Sequence, residues 1–133
     1  MLLVKNKFEV KLKETMARHN DTGKLGEELA QRWIVENGYQ LISKNWRCGH
    51  WEIDMIATKN NKLHFFEVKT RRSSQFGFPE DLVDKKKLHF FISAGTEYIR
   101  QYPEFKWICF NILSISLNDE KKPDFFLIED VYT

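Results

Sequence analysis

Two strand-like runs, His50–Ile56 and Leu63–Lys69, stand on either side of Asn60-Asn61, and that turn dictates how they must pair. Asparagine tolerates the left-handed backbone that a tight hairpin turn requires. Counting outward from the turn, Thr58 faces Leu63, Ile56 faces Phe65, Asp54 faces Glu67 and Glu52 faces Lys69. Two carboxylates are therefore expected directly opposite each other on one face of the hairpin. Opposed side chains in an antiparallel pair lie about 4.5–5.5 Å apart between Cβ atoms. Two negative charges roughly 4 Å apart repel by about 4 kcal/mol at an effective dielectric of about 20. A divalent cation between them converts repulsion into ligation, because hard cations take carboxylate oxygens. Lys69 falls on the same face as Glu67, since strand side chains alternate.

A chain of 133 residues is of single-domain size and can bury a core without disulfides or structural metals. The net charge is only +2, so overall charge does not mark a nucleic-acid binder. The local distribution is more telling, with basic clusters at Lys69-Thr70-Arg71-Arg72 and Lys85-Lys86-Lys87. Cys48 and Cys109 are far apart and form no metal-spaced pair, which suits reduced thiols in a cytoplasmic protein. No apolar stretch is long enough to span a membrane, so no membrane partner is expected. The opening Met1-Leu2-Leu3-Val4 gives way at once to Lys5-Asn6-Lys7, unlike a signal peptide.

Residues 1–20 read as an N-terminal arm or extra helix, and residues 21–133 as one domain. Asp21 or Thr22 is placed to cap a helix over Gly23–Val35, with Gly38 ending it in a left-handed turn. Leu25, Leu29, Ala30, Trp33 and Ile34 form its apolar stripe; Glu27 lies at the stripe's edge and Glu28 points to solvent. A strand over Tyr39–Trp46 precedes the hairpin, with a turn near Cys48-Gly49, so three strands form a meander. A loop over Arg71–Pro79 leads to a second helix, which Pro79 suits as a start and Pro103 stops. Phe105–Leu117 reads as a strand and Phe125–Val131 as a last strand at an edge. The order α-β-β-β-α-β-β permits a parallel crossover after the meander and so a mixed α/β sheet flanked by helices.

The chemistry concentrates at Asp54 and Glu67-Val68-Lys69, with Glu27 upstream on a helix. One account is phosphodiester cleavage. Asp54 and Glu67 hold Mg²⁺ or Mn²⁺, the Val68 carbonyl adds an oxygen, and Glu27 completes the shell if its helix leans over the hairpin. Such an ion polarises the phosphate and acidifies water, while Lys69 orients that water and stabilises developing charge. The other account is an ordinary cross-strand ion pair between Glu52 and Lys69, worth roughly 0.2–1 kcal/mol. The residues alone leave both open; the opposed carboxylates favour the cation as long as the register does not slip.

The segments Gly26-Glu27, Gly38-Tyr39, Asn45-Trp46-Arg47, Glu52-Ile53-Asp54-Met55-Ile56, Phe66-Glu67-Val68-Lys69-Thr70-Arg71 and Phe110-Asn111-Ile112-Leu113 also occur in a telling order. Together they resemble the YraN-like family of predicted endonucleases. That family is similar to archaeal Holliday junction resolvases and to the restriction-endonuclease-like superfamily. The resemblance covers roughly residues 20–117. It implies a restriction-endonuclease-like fold, with metal-ligand or catalytic roles for Glu27, Asp54, Glu67 and Lys69. Glu52, Arg71 and Lys87 also fall on characteristic positions. The chain departs from the pattern at Trp51, where Gly is usual, and at Cys109 and Asn111, where Arg and Asp are usual. Ile53 stands where the superfamily often has Pro.

Beside the site, Arg47, Arg71 and Arg72 are the expected phosphate contacts, with Lys87 on the second helix and Glu52 in support. DNA is expected before RNA, and branched DNA fits the resemblance. His19, His50, His64 and His89 show no zinc spacing, and His64 projects away from Glu67. Trp46 and Trp51 can stack on bases but, as strand aromatics, are expected in the core. The Phe-rich late strands offer a contact to a second copy. The rival functions are a non-catalytic nucleic-acid-binding module of the same fold and a structural or adaptor domain.

Overall fold

The computed structural model describes residues 22–72, 84–118 and 121–131. Among these, helix α1 spans Thr22–Glu36, followed by strands β1 (Gln40–Cys48), β2 (Trp51–Lys59) and β3 (Lys62–Arg71). Helix α2 (Lys85–Gln101) then leads to β4 (Ile108–Asn118) and β5 (Lys121–Ile128). The expected N-terminal arm, the cap at Asp21 and the loop through Pro79 lie outside the described residues.

The five strands form one sheet in the order β1-β2-β3-β4-β5. The β1–β2–β3 meander is antiparallel, β3 and β4 are parallel, and β5 returns antiparallel as an edge. Joining β3 to a parallel β4 requires a crossover, and α2 supplies it. This is the mixed α/β sheet that the element order implied, flanked by two helices in a restriction-endonuclease-like arrangement.

Each helix covers one face. On one side Leu25, Leu29, Ala30 and Ile34 of α1 pack with Met55, Ala57, Phe66, Leu113 and Ile115. On the other, Phe91, Ala94 and Tyr98 of α2 pack with Ile53, Ile56, Leu63, Phe65 and Phe110. Two covered faces explain why adjacent Phe65 and Phe66 are both fully buried: the central strands have no solvent face to give up. Trp46 and Trp51 pack against the α2-side cluster, as strand aromatics should.

The termini of the elements follow local chemistry. Gly38 sits at φ +86° behind α1, as its placement predicted. Helix α2 starts at Lys85, where the Asp84 side chain accepts from the Lys86 N–H at 2.9 Å. Strand β4 begins at Ile108, not Phe105, because its pairing starts only where Leu63 of β3 offers a partner. The last strand lies earlier than expected, and Pro123 within it is tolerated on an edge. It ends before Asp130, whose φ of +47° turns the chain and whose N–H donates to the Asn111 side-chain oxygen at 3.0 Å.

Gly26 on α1 faces Thr70 on β3 so closely that any Cβ would collide with the Thr70 side chain. This contact sets how near the start of α1 lies to the end of β3. Gly26→Ala should cost roughly 1–3 kcal/mol in urea unfolding. Thr70→Ala in the same chain should recover part of that loss, because the Oγ1 that blocks the methyl is then gone.

Candidate metal and phosphate site

Asn60 and Asn61 adopt φ of 53° and 62°, the left-handed turn the sequence called for. Pairing then runs in the counted register from Lys59↔Lys62 through Thr58↔Leu63 and Ile56↔Phe65 to Met55↔Phe66. It stops one pair short of Asp54 and Glu67. Here the structure refines the expectation of two carboxylates directly opposed across a regular ladder. Asp54 turns its side chain into the gap between the strands, and its Oδ2 accepts from the Val68 N–H at 2.8 Å. A carboxylate thus takes a backbone donor that would otherwise serve the ladder. The N–H and C=O of a strand residue leave on the same side, so the Val68 carbonyl also opens toward β2.

The alternation of β2 slips at the same place. Ile53 and Ile56 join the core under α2, whereas Met55 and Ala57 join the core under α1. Two residues of one strand that lie three apart share a face only where the strand is irregular. Asp54 sits in that irregular stretch, partly buried.

Asp54 is held in an unfavourable state. Its carboxyl is pushed up from the usual carboxylate range to about 7, chiefly by burial. The negative charges of Glu67, Glu52 and Glu27 push it further, and the Val68 N–H pulls it back. Lys69 Nζ lies 3.3 Å from Glu67 Oε1, so the two residues that share a face also share a charge pair. Glu52 is not paired across the hairpin with Lys69; Arg47 holds it at 3.4 Å. The simple cross-strand account of Glu52 and Lys69 is thereby corrected, because the strands part before those residues meet.

Glu27 reaches a different partner. Its carboxylate accepts from Asn45 Nδ2 at 3.4 Å, and Asn45 interrupts β1 with a φ of 50°. Among the described residues, no three His, Cys, Asp or Glu side chains converge tightly enough to enclose an ion. Asp54, whose carboxyl the charge of nearby Glu67 pushes up, Glu67 itself and the Val68 carbonyl offer only oxygen donors. That all-oxygen set suits Mg²⁺ or Mn²⁺, which commonly keep several waters and bind through one or two carboxylates plus substrate phosphate.

A groove runs beside these residues, lined by Glu67, Lys69, Asp84 and Lys87, with Leu88, Phe91 and Ile112 as its apolar wall. Lys87 thus shares the groove with Glu67 and Lys69. Asp84 was missed by sequence reasoning, although an Asp one residue before a Lys-rich helix start is a recognisable cap. Arg72 donates from Nε to Thr22 Oγ1 at 2.6 Å, tying the end of β3 to the start of α1. Arg71 ends β3 on the same face as Lys69. The departures Cys109 and Asn111 lie off the groove: Asn111 donates to His64 Nδ1 at 3.0 Å on the α1 side of the sheet. Because Asn111 Oδ1 already accepts from Asp130, its Nδ2 must donate, so His64 is neutral with its proton on Nε2. Burial holds His64 below its usual value, in keeping with that state.

The sign of the Asp54 effect is definite. A carboxyl raised in the folded state stabilises the fold below the unfolded value of 3.8, and that contribution is lost as pH rises through about 7. Asp54→Asn removes the charge and can still accept from Val68. The variant should match the wild type below about pH 4 and exceed it by roughly 2–4 kcal/mol above about pH 7.5 in metal-free urea unfolding.

The family pattern described as uncharacterised protein family UPF0102 matches residues 26–115. A UPF0102 protein of Phocaeicola vulgatus is 40% identical over 116 residues, covering 87% of this chain and 93% of its own. A UPF0102 protein of Flavobacterium johnsoniae is 39% identical over 109 residues, covering 79% and 89%. One from Flavobacterium psychrophilum is 44% identical over 84 residues, covering 63% and 71%.

Proposed function

This chain belongs to the uncharacterised protein family UPF0102, the YraN-like group of restriction-endonuclease-like proteins, and from that premise we propose that it is a metal-dependent nuclease. Its substrate is DNA, branched DNA in particular, and its reaction is hydrolysis of a phosphodiester bond by in-line attack of water. The observation that carries this reading is the Asp54 carboxylate inserted between parting strands onto the Val68 N–H, beside the Glu67–Lys69 pair. A fold selected for stability alone gains little from a buried carboxyl surrounded by three other acids.

Asp54 and Glu67, with the Val68 carbonyl, are the residues that hold Mg²⁺ or Mn²⁺ in this proposal. The cation supplies charge neutralisation at the phosphate and a more acidic water. Val68 fixes the Asp54 carboxylate through its N–H, so the ligand is oriented before any ion arrives. Lys69, held by Glu67, lies where it can orient the attacking water and stabilise negative charge as it develops. Glu27, anchored by Asn45 at the edge of the site, is the supporting acid from α1. Arg47, Arg71, Arg72 and Lys87 take backbone phosphates, and Glu52 supports by orienting Arg47.

No helix among the described residues is long and apolar enough to cross a membrane. The free thiols of Cys48 and Cys109 suit the cytoplasmic setting proposed for such an enzyme. A second copy docked along edge strand β5, where Phe126 is exposed, suits a two-fold symmetric junction.

A panel of labelled duplex, single-stranded, flap and four-way-junction DNA, with structured RNA, tests the reading in Mg²⁺, Mn²⁺ or EDTA. Cleavage should require the cation. Lys69→Ala should lower the rate at least about 100-fold while stability changes by less than about 1 kcal/mol. Metal-independent binding without cutting would favour the non-catalytic module, and neither binding nor cutting would favour a structural domain.

A further inference from the structure

Among the described residues most large apolar side chains are packed, and Phe90 is an exception with neighbours. It lies on α2 beside the inward-facing Phe91 and is 44% exposed, whereas Phe91 is buried. Its ring meets that of His50 edge-on, with centroids 6.1 Å apart. His50 in turn lies 5.1 Å from Trp51, at the β1–β2 turn. Three aromatic rings from two elements therefore form a contiguous ledge, of which His50 and Phe90 are exposed.

The ledge adjoins the groove. Lys87, which lines the groove with Glu67 and Lys69, is one helical turn before Phe90. Arg47 and Glu52, joined at 3.4 Å, stand on the two strands that lead into and out of the His50 turn. Exposed Lys86 and Lys87 on α2 and Arg47 on β1 thus flank the rings with positive charge. Rings beside cations, next to a site for phosphate, are the combination that binds bases through their faces and the backbone through its charge. Trp107 and Phe126 are more exposed, at 67% and 53%, but Trp107 lies before β4 at the far end of the sheet and Phe126 on the opposite edge strand. Neither sits beside the groove in a cluster of rings.

We propose that Phe90, His50 and Trp51 form a stacking platform for unpaired bases, so that the groove acts on nucleic acid carrying a single-stranded or unpaired segment next to the cut. The platform stands on the ring geometry and flanking charge; its assignment to a substrate rests on the nuclease reading. A paired base inside a duplex keeps its faces covered by its neighbours, so blunt duplex gains nothing from the ledge. A flap, a single strand or the open centre of a junction offers a free face.

The test measures binding in EDTA, where cutting is silent, using 2-aminopurine-labelled DNA as a single strand, a flap and a blunt duplex, with a single-stranded RNA arm. The wild type should quench 2-aminopurine at an unpaired position. Phe90→Ala should weaken single-strand and flap binding at least about fivefold and leave duplex binding within about twofold. Phe90→Trp should restore the quenching, a result that a purely structural role would not produce. His50→Ala, on an exposed turn where folding is not at stake, should shift binding in the same direction. Unchanged single-strand affinity in Phe90→Ala and His50→Ala, equal loss on single strand and duplex, or no nucleic-acid binding by the wild type would overturn the platform. Selective binding of unpaired bases without cleavage in any metal would support the platform while overturning the nuclease reading.

Discussion

One hydrogen bond organises the end of the sheet where β2 and β3 part: the Val68 N–H to the Asp54 carboxylate. A backbone donor in the middle of a sheet must be satisfied, and a neighbouring strand normally supplies the acceptor. Here β2 supplies a side chain instead, and the strands are free to part. The Asp54 carboxylate occupies the gap where the strands part. Glu67 and Lys69 face the groove beside the start of α2. The cost is a carboxyl held far above its usual range. In the proposed reading, a cation offsets that cost by neutralising the charge.

The rest of the fold keeps this end rigid. Because both faces of the sheet are covered, β2 and β3 cannot slide without moving Ile53, Ile56, Phe65 and Phe66, all fully buried. A shift by one residue would drive each of them to the wrong layer. Gly26 lets α1 approach Thr70, and the next residue along the helix is Glu27. The close packing that fixes the helix therefore also fixes the acid that Asn45 receives at the edge of the site.

Much of this was legible in the residues, for identifiable reasons. Asn60-Asn61 is a turn signal with a fixed register, so the hairpin pairing as far as Met55↔Phe66 could be counted. The apolar stripe of α1 and the position of Gly38 reflect local propensity, and the crossover follows from element order. What escaped depended on tertiary substitution. A side chain replacing a ladder bond leaves no mark in periodicity, so the break after Met55 was invisible. Arg47 meets Glu52 because the two face each other across the β1–β2 ladder, a register that was not counted from the sequence. Glu27 meeting Asn45 needs a helix and a strand brought together from 18 residues apart. The start of β4 depended on where β3 begins, and the cap at Asp84 was overshadowed by Pro79, a general helix-start signal. The aromatic ledge was missed because Trp51 read as a core residue, while its proximity to Phe90 through His50 is a property of the turn.

The central claim is that Asp54 and Glu67 form a cation site whose strain the ion relieves. Calorimetric titration of Mn²⁺ into the metal-free protein at pH 7, in two buffers of different ionisation enthalpy, tests it most directly. The account predicts saturable binding of one ion with net proton release, because the Asp54 carboxyl titrates near that pH, and loss of both binding and release in Asp54→Asn. Absence of saturable binding, or binding with no proton release that persists in Asp54→Asn, would contradict it.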